Sequence, residues 1–259
     1  MFSLHVFRAS SLSVMLMAMK PATATAAELT MKPDACGIGV PVYLSRTYHW
    51  AYLNRHTLPW LDRSLVVSAI LWGNAGRLMK SAVTEFGEGQ HVLQAACVYG
   101  PFSRMLADRV GPTGALEVVD VAALQVANAR HKLQDLAHVQ VRQANLAEVG
   151  CIEPAASDAV CCFFLLHEVP DGERRSIVDN LMGGVRPGGK IVFVDYHRTV
   201  AWHPLRPIMA LVFRWLEPYA PSLLDVDIAA LSKFAADFEW KKTTCFGGLY
   251  QKLVGVRRG

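Results

Sequence analysis

VLQAACVYG, residues 92–100, is a run of small and branched apolar residues that stops at a glycine and gives way to a helix-like segment. In that segment, residues 103–110, Met105, Leu106, Ala107 and Val110 fall on one stripe while Arg104, Asp108 and Arg109 point elsewhere. A strand that turns directly into an amphipathic helix is the unit from which open α/β sheets are wound.

The unit recurs along the chain. Short apolar runs stand at residues 91–95, 115–119, 159–166 and 190–194, with a further strand-like run, VQVRQ, at 139–143 and a helical segment at 122–133. Runs of this length, with few polar residues, suit parallel strands buried on both faces. The reading is an α/β fold with a doubly wound, mostly parallel sheet over residues 85–259. Two strand-like runs around Gly247 and Gly248 close it as an antiparallel hairpin. Ahead of it, residues 36–84 form an N-terminal helical cap, with helical periodicity over 43–83 and many rings, among them Tyr48, Trp50, Tyr52 and Trp60. Residues 200–224, with prolines at 204, 207, 218 and 221, read as an insertion.

Composition agrees with one such domain, since 259 residues at 52% hydrophobic content can bury a large core. Residues 1–27 contain no acid, carry Arg8 and Lys20, and are rich in Ser, Ala, Thr and Met, so they are set aside as a targeting presequence. Their apolar stretch 12–19 suits a signal peptide, and their low acidity and hydroxyl content suit a mitochondrial address, which is the one adopted. Without Arg8 and Lys20, the 26 basic residues fall to 24 against 22 acidic ones, no footprint for nucleic acid. The six cysteines form no CxxC pair, which fits a reduced compartment. No run approaches the roughly 18 apolar residues that span a bilayer, so a soluble or peripheral protein is expected.

In open α/β sheets a ligand sits where the first strand turns into the first helix, here residues 92–100. Asp120, 20 residues after Gly100, ends the second strand, where a carboxylate accepts ribose hydroxyls or caps the helix that follows.

The motifs VLQAACVYG, LEVVD (116–120), SDAVCCFFLLHEVPD (157–171) and VRPGGKIVFVDYH (185–197), in this order, resemble the class I S-adenosylmethionine-dependent methyltransferases. The last two are similar to those of ubiquinone and menaquinone methyltransferases. A narrower resemblance rests on TYHWAY (47–52), ILWGN (70–74), VLQAACVYG and VVDV (118–121), which are similar to the methyltransferase-like rhodoquinone-biosynthesis family, RquA. In the wider class the first motif carries an acid at the place of Gln94 and glycines at the places of Ala96 and Val98; the departures follow the narrower family.

The resemblance implies an S-adenosylmethionine site built from Gln94, Ala96, Val98, Gly100, Asp120, Val121, Asn145 and Leu165. Asn145 would lie at the adenine end, with a turn residue as its plainer reading. It further implies replacement of a methoxy group of ubiquinone by an amino group drawn from S-adenosylmethionine, with a divalent metal, manganese preferred. An amine attacks only when neutral, so a base is needed. The candidates for catalysis are His167, Glu168, His197 and Tyr99, and for metal His167, Asp195 and His197. Two alternatives stand beside this: a quinone or small-molecule methyltransferase, and a catalytically inactive methyltransferase-like scaffold. The rings of residues 43–61 suit either a quinone or a core. Residues 202–216, with Arg206 and Arg214, suit shallow association with the inner-membrane surface or a partner protein. Oligomeric state is open.

Overall fold

The computed structural model describes residues 39–259, so the presequence at 1–27 and Cys36 lie outside the described residues. Its centre is a seven-stranded sheet in the order β3-β2-β1-β4-β5-β7-β6. The strands are β1 (His91–Ala95), β2 (Ala115–Asp120), β3 (Val139–Gln143), β4 (Ser157–Phe163), β5 (Val185–Tyr196), β6 (Phe238–Cys245) and β7 (Tyr250–Arg257). The first five pair in parallel, and β7 joins β5 and β6 antiparallel, the hairpin expected from the sequence.

The runs have few polar residues because both sheet faces are covered. Along β1, Val92 enters the core on one face, with Leu106, Val118 and Val192, while Leu93 enters the other, with Val160, Ile177 and Phe193. Cys161 and Cys162 divide between the faces in the same way, and both are fully buried, so each serves as a small apolar residue. The helix after β1, Phe102–Val110, buries Leu106, Ala107 and Val110 of the expected stripe, and leaves Met105 half-buried.

One boundary differs from the sequence reading. The run 159–166 does not stay extended: β4 ends at Phe163, Phe164 takes the left-handed conformation at φ +53°, and Leu166–Glu168 form a 3-10 turn. A bulky residue pays for that conformation, and such strain concentrates at sites the surrounding structure holds in place. Here it aims His167 and Glu168 off the sheet end.

Before β1, short helices at Val42–Thr47, His49–Tyr52, Leu58–Leu61 and Ser64–Ile70 contribute residues to the cavity at the carboxyl ends of the strands, while Ala75–Val83 packs in the core on one sheet face beside the helix after β1. Between β5 and β6 come helices at Arg206–Trp215 and Ala220–Leu224, the second packed on the 3-10 turn.

Candidate active site

A cavity of about 210 Å³ opens at the carboxyl ends of β1, β2, β4 and β5 and is roofed by the N-terminal helices. A single water needs roughly 10–15 Å³, so the space is a binding site rather than a packing defect. It lies at the β1/β4 switch point, the place where open sheets hold ligands. The sheet order sets Asp120, Val121 and Asn145 on the β2–β3 side and His167 and Glu168 on the β4 side, and all line the same cavity.

The turn after β1 is held from several directions. Ala96 has φ +67°, a glycine-like conformation in a residue with a Cβ, and its N–H donates to Val119 O at 2.8 Å. Cys97 N–H donates to Asp120 Oδ2 at 2.7 Å and Ala122 N–H to Asp120 Oδ1 at 2.8 Å. Asp120 therefore holds the turn into the next helix, whose N-cap is Ala122 rather than Asp120, and faces the cavity. Burial raises its pKa even though backbone N–H groups pull the other way. Gly100, at φ +77°, donates its N–H to Asp62 Oδ1 at 2.7 Å, and Lys132 Nζ bridges Asp62 Oδ1 and Gly100 O, each at 2.7 Å.

Gln94 is not on the cavity wall. It is fully buried behind the turn, where its Nε2 donates to Ala96 O at 2.8 Å and to Ser103 Oγ at 2.9 Å, and its Oε1 has no partner. Neither Gln94 nor Gly100 is among the lining residues, so both shape the turn from behind, while Ala96, Val98 and Leu165 form wall. Asn145 lines the cavity and also makes its turn, accepting Ala147 N–H on Oδ1 at 3.0 Å.

On the β4 side three ionisable groups converge. His167 Nδ1 lies 2.8 Å from Asp195 Oδ1, and because a carboxylate only accepts, Nδ1 carries the proton and Nε2 faces the cavity. Glu168 and Glu217 stand 3.7 and 3.9 Å from Nε2. Ligand atoms of His167, Glu168 and Glu217 all lie within 4.8 Å of one another, the spacing of a metal donor set. Two roof tyrosines meet the acids: Tyr52 donates to Glu168, and Tyr48 to Glu217 Oε2 at 2.8 Å.

The electrostatics follow from this crowding. Burial opposes the His167 cation, but Asp195, then Glu217 and Glu168, outweigh it and push the pKa up to about 9. Glu168 is pushed up to about 8, by burial first and by Glu217, against the pull of His167. Glu217 is raised too, chiefly by burial. Tyr99 lines the cavity, stacks on Tyr52 with ring centres 5.6 Å apart, donates to Ala51 O and receives Gln125 Nε2 at 2.9 Å. Burial raises its pKa, and with both polar contacts made it forms wall and anchor.

Two of the expected metal ligands stand elsewhere. Asp195 is buried with both oxygens engaged, Oδ2 by Leu166 N–H at 2.9 Å and Oδ1 by His167 and by Tyr196 N–H at 2.7 Å; it orients the histidine from behind. His197 is not brought to the cluster. The β5–β7 pairing continues past Tyr196 and pins it, its N–H on Leu249 O at 2.8 Å and its Nδ1 against Gly248 O at 3.1 Å. Glu217, which the sequence reading passed over, completes the set instead. It is the one acid between Trp202 and Leu224, and that isolation was the available signal. Asp62, which clamps Gly100, left no such signal.

A seven-stranded sheet in this order, with β7 inserted antiparallel and the cavity at the β1/β4 switch, decides the architecture. The fold is that of the class I methyltransferases. Residues 92–189 match the methyltransferase domain family. Among curated proteins, the demethylmenaquinone methyltransferase of Oceanobacillus iheyensis is 27% identical over 162 residues, 60% of this chain and 65% of that protein. The ubiquinone biosynthesis O-methyltransferase of Alkalilimnicola ehrlichii is 32% identical over 112 residues, 43% and 44%. The chain thus spans under two thirds of the length of these relatives. Among solved structures, a SAM-dependent methyltransferase from Aquifex aeolicus superposes with TM-score 0.53 at 16% identity, covering 79% of this chain and 98% of its own. The N-methyltransferase NodS of Bradyrhizobium japonicum, in complex with S-adenosyl-L-homocysteine, gives 0.53 at 16%, covering 80% and 94%. The [4+2]-cyclase SpnF gives 0.51 at 14%, covering 71% and 81%; the class I methyltransferase fold therefore does not fix the reaction.

Proposed function

We propose that this protein is an S-adenosylmethionine-dependent transferase acting on a quinone ring. The observation that carries the reading is one cavity that joins a ribose-type carboxylate, Asp120, to a buried acid–base cluster, His167, Glu168 and Glu217, beneath a roof of tyrosines. Asp120 accepts the Cys97 and Ala122 N–H groups on different oxygens and lines the cavity, where its carboxylate can meet a ribose hydroxyl. Asn145, Val121 and Leu146 form the wall beside it, and Ala96 and Val98 the wall toward β4. A flat ring suits the aromatic side, where Tyr52 and Tyr99 already stack.

The relatives named for menaquinone and ubiquinone support methyl transfer to a quinone. A specific observation favours a second reading, amino transfer, in which the α-amino nitrogen bonds to the ring and methoxy leaves as methanol. The quinone takes the electron pair as the nitrogen–α-carbon bond becomes an imine, and water hydrolyses the imine to leave the amine on the ring. Residue 94, where the wider class carries an acid, is a glutamine turned behind the loop and bonded there, so it offers no carboxylate to the cationic methionine end. Methyl transfer to a ring hydroxyl or carbon also releases a proton, so an acid–base cluster serves either reaction. Attack by an amine needs a group that takes a proton near neutral pH, and Glu168 beside His167 is such a group.

The residues also fit a divalent cation. Two buried carboxylates crowd one imidazole whose tautomer Asp195 fixes, the arrangement of a carboxylate–histidine metal ligand with its outer partner. His167, Glu168 and Glu217 would hold the ion, and nitrogen and oxygen donors of this kind suit manganese. An ion held there would keep Glu168 ionised, so the cation and the proton on Glu168 are alternatives at this site. When bound, it would supply Lewis acidity toward a quinone carbonyl.

The test is to supply the full chain with ubiquinone, Mn²⁺ and S-adenosylmethionine labelled with nitrogen-15 at the α-amino group, and to weigh the product. Loss of methoxy with gain of labelled amine supports amino transfer. A quinone that gains a methyl group supports methyl transfer. No product and no cofactor binding would leave the inactive scaffold.

A further inference from the structure

The segment from Val200 to Leu216 presents an apolar surface that the folded chain leaves uncovered. Trp202 is 80% exposed, Trp215 62% and Leu211 53%. The helix Arg206–Trp215 buries Met209, Val212 and Phe213 against the sheet domain and turns Leu211 and Trp215, one turn apart, to the outside. The charged groups on this segment are Arg206 and Arg214, and residues 200–216 contain no carboxylate. Neither guanidinium has an ion-pair partner among the described residues; Arg214 instead lies over the Trp215 ring at 5.8 Å.

The surface runs into the cavity. Leu216, next in sequence to exposed Trp215, lines it, and Ile70, 38% exposed at the end of the helix Ser64–Ile70, lines it from the roof. Both residues line the cavity that also holds the tyrosines and the His167 cluster, and Leu216 adjoins the patch in sequence. No helix among the described residues is long and apolar enough to cross a membrane, so contact with a bilayer through this segment would be shallow.

We infer that this face docks on an anionic lipid bilayer and that the cavity, where Leu216 lines it beside the patch, admits the tail of a membrane-dissolved substrate. Tryptophans and leucine enter the boundary of headgroups and acyl chains, while the two arginines, on a stretch (200–216) without a carboxylate, meet lipid phosphates. Docking stands on the surface alone. The substrate route rests on the quinone reading.

The experiment sediments the full chain with vesicles of phosphatidylcholine, with or without phosphatidylglycerol, in the absence of quinone and cofactor. The variants are W202Q/L211Q/W215Q and, as an exposed apolar control away from the patch, V149Q; thermal melts confirm that each folds. The native chain and V149Q are expected to bind vesicles containing phosphatidylglycerol, and the triple variant to lose about tenfold or more in bound-to-free ratio. A native chain that stays in the supernatant, or a triple variant that binds as well as the native chain, overturns the docking. So does light scattering that shows a native dimer which the triple variant dissolves, because the patch is then a self-association face. A second arm compares a short-tailed quinone in solution with a long-tailed quinone in vesicles. The triple variant should keep turnover of the first and lose that of the second; equal loss of both overturns the route. If the native chain turns over neither quinone, the transferase reading fails, and vesicle binding is still judged on its own.

Discussion

Tyr48 donates its phenolic hydrogen to Glu217 Oε2 at 2.8 Å, a contact between residues 169 apart that ties the N-terminal roof to the insertion after β5. Tyr52 makes the matching contact to Glu168. The roof thus supplies hydrogen-bond donors to both acids of the cluster, and the acids belong to a site that no single stretch of chain contains.

Tyr48→Phe should leave the buried Glu217 carboxylate short of a donor. The expected cost is about 1–3 kcal/mol, the penalty for an unsatisfied buried polar group, read as a lower urea midpoint with unchanged slope. An unchanged midpoint would mean that water replaces the hydroxyl.

Stability should fall as pH rises through the neutral range in chelator-treated protein. His167 is raised to about 9 in the folded state, so its contribution is complete below its unfolded value, about 6.5, and is lost as pH climbs to 9. Glu168 is raised to about 8, so the fold favours its protonated form; that contribution is complete below about 4.3 and is lost as pH climbs to 8. Between these limits each group contributes a slope of at most about 1.4 kcal/mol per pH unit. Urea midpoints measured across this range should decline with pH, and Glu168→Gln should flatten the decline. A level profile for the native protein would count against the cluster as described.

Gln94→Glu, which installs the acid of the wider methyltransferase class, should destabilise the protein rather than restore a cofactor contact. The new oxygen would face Ala96 O, which Gln94 Nε2 now meets at 2.8 Å, and only Ser103 could donate to it. A cost of about 2–3 kcal/mol or more is expected in denaturant melts. A variant as stable as the native chain would show that residue 94 can swing toward the cavity.

Ala96→Gly should stabilise the fold by about 0.5–1 kcal/mol. The left-handed conformation at φ +67° costs an alanine roughly 1–2 kcal/mol, partly offset by the extra freedom of glycine when unfolded. A melting temperature below that of the native protein would refute this.

Asp120→Ala should weaken binding of S-adenosylmethionine by about tenfold or more in calorimetry, since charge-assisted hydrogen bonds to a ribose would be lost along with the acceptor for Cys97 and Ala122. Binding at native affinity would move the cofactor away from this carboxylate.

The sheet was legible in the chain because its signal is local. Parallel strands covered on both faces are mostly apolar, and residues 91–95 match β1 end to end. Residues 139–143 match β3, an edge strand with only Val141 buried, whose alternating Val–Gln–Val–Arg is a strand signal of its own. The hairpin around Gly247 and Gly248 and the helix on the 105–110 stripe were legible for the same reason. Asp120 and His167 could be singled out because strand ends are where this architecture places ligands.

What the sequence by itself determined, then, is the order of strands and helices and which residues emerge at strand ends. The tertiary structure alone decided which of those ends face one another. Pairing of β5 with β7 holds His197 away, hydrogen bonds occupy Asp195, and the left-handed Phe164 turns His167 and Glu168 inward to meet Glu217. The physical reason is that periodicity and turn chemistry act over a few residues, whereas a cluster of buried charges is assembled by contacts between distant segments. Tyr48 and Glu217 carry no mark of each other until the chain folds.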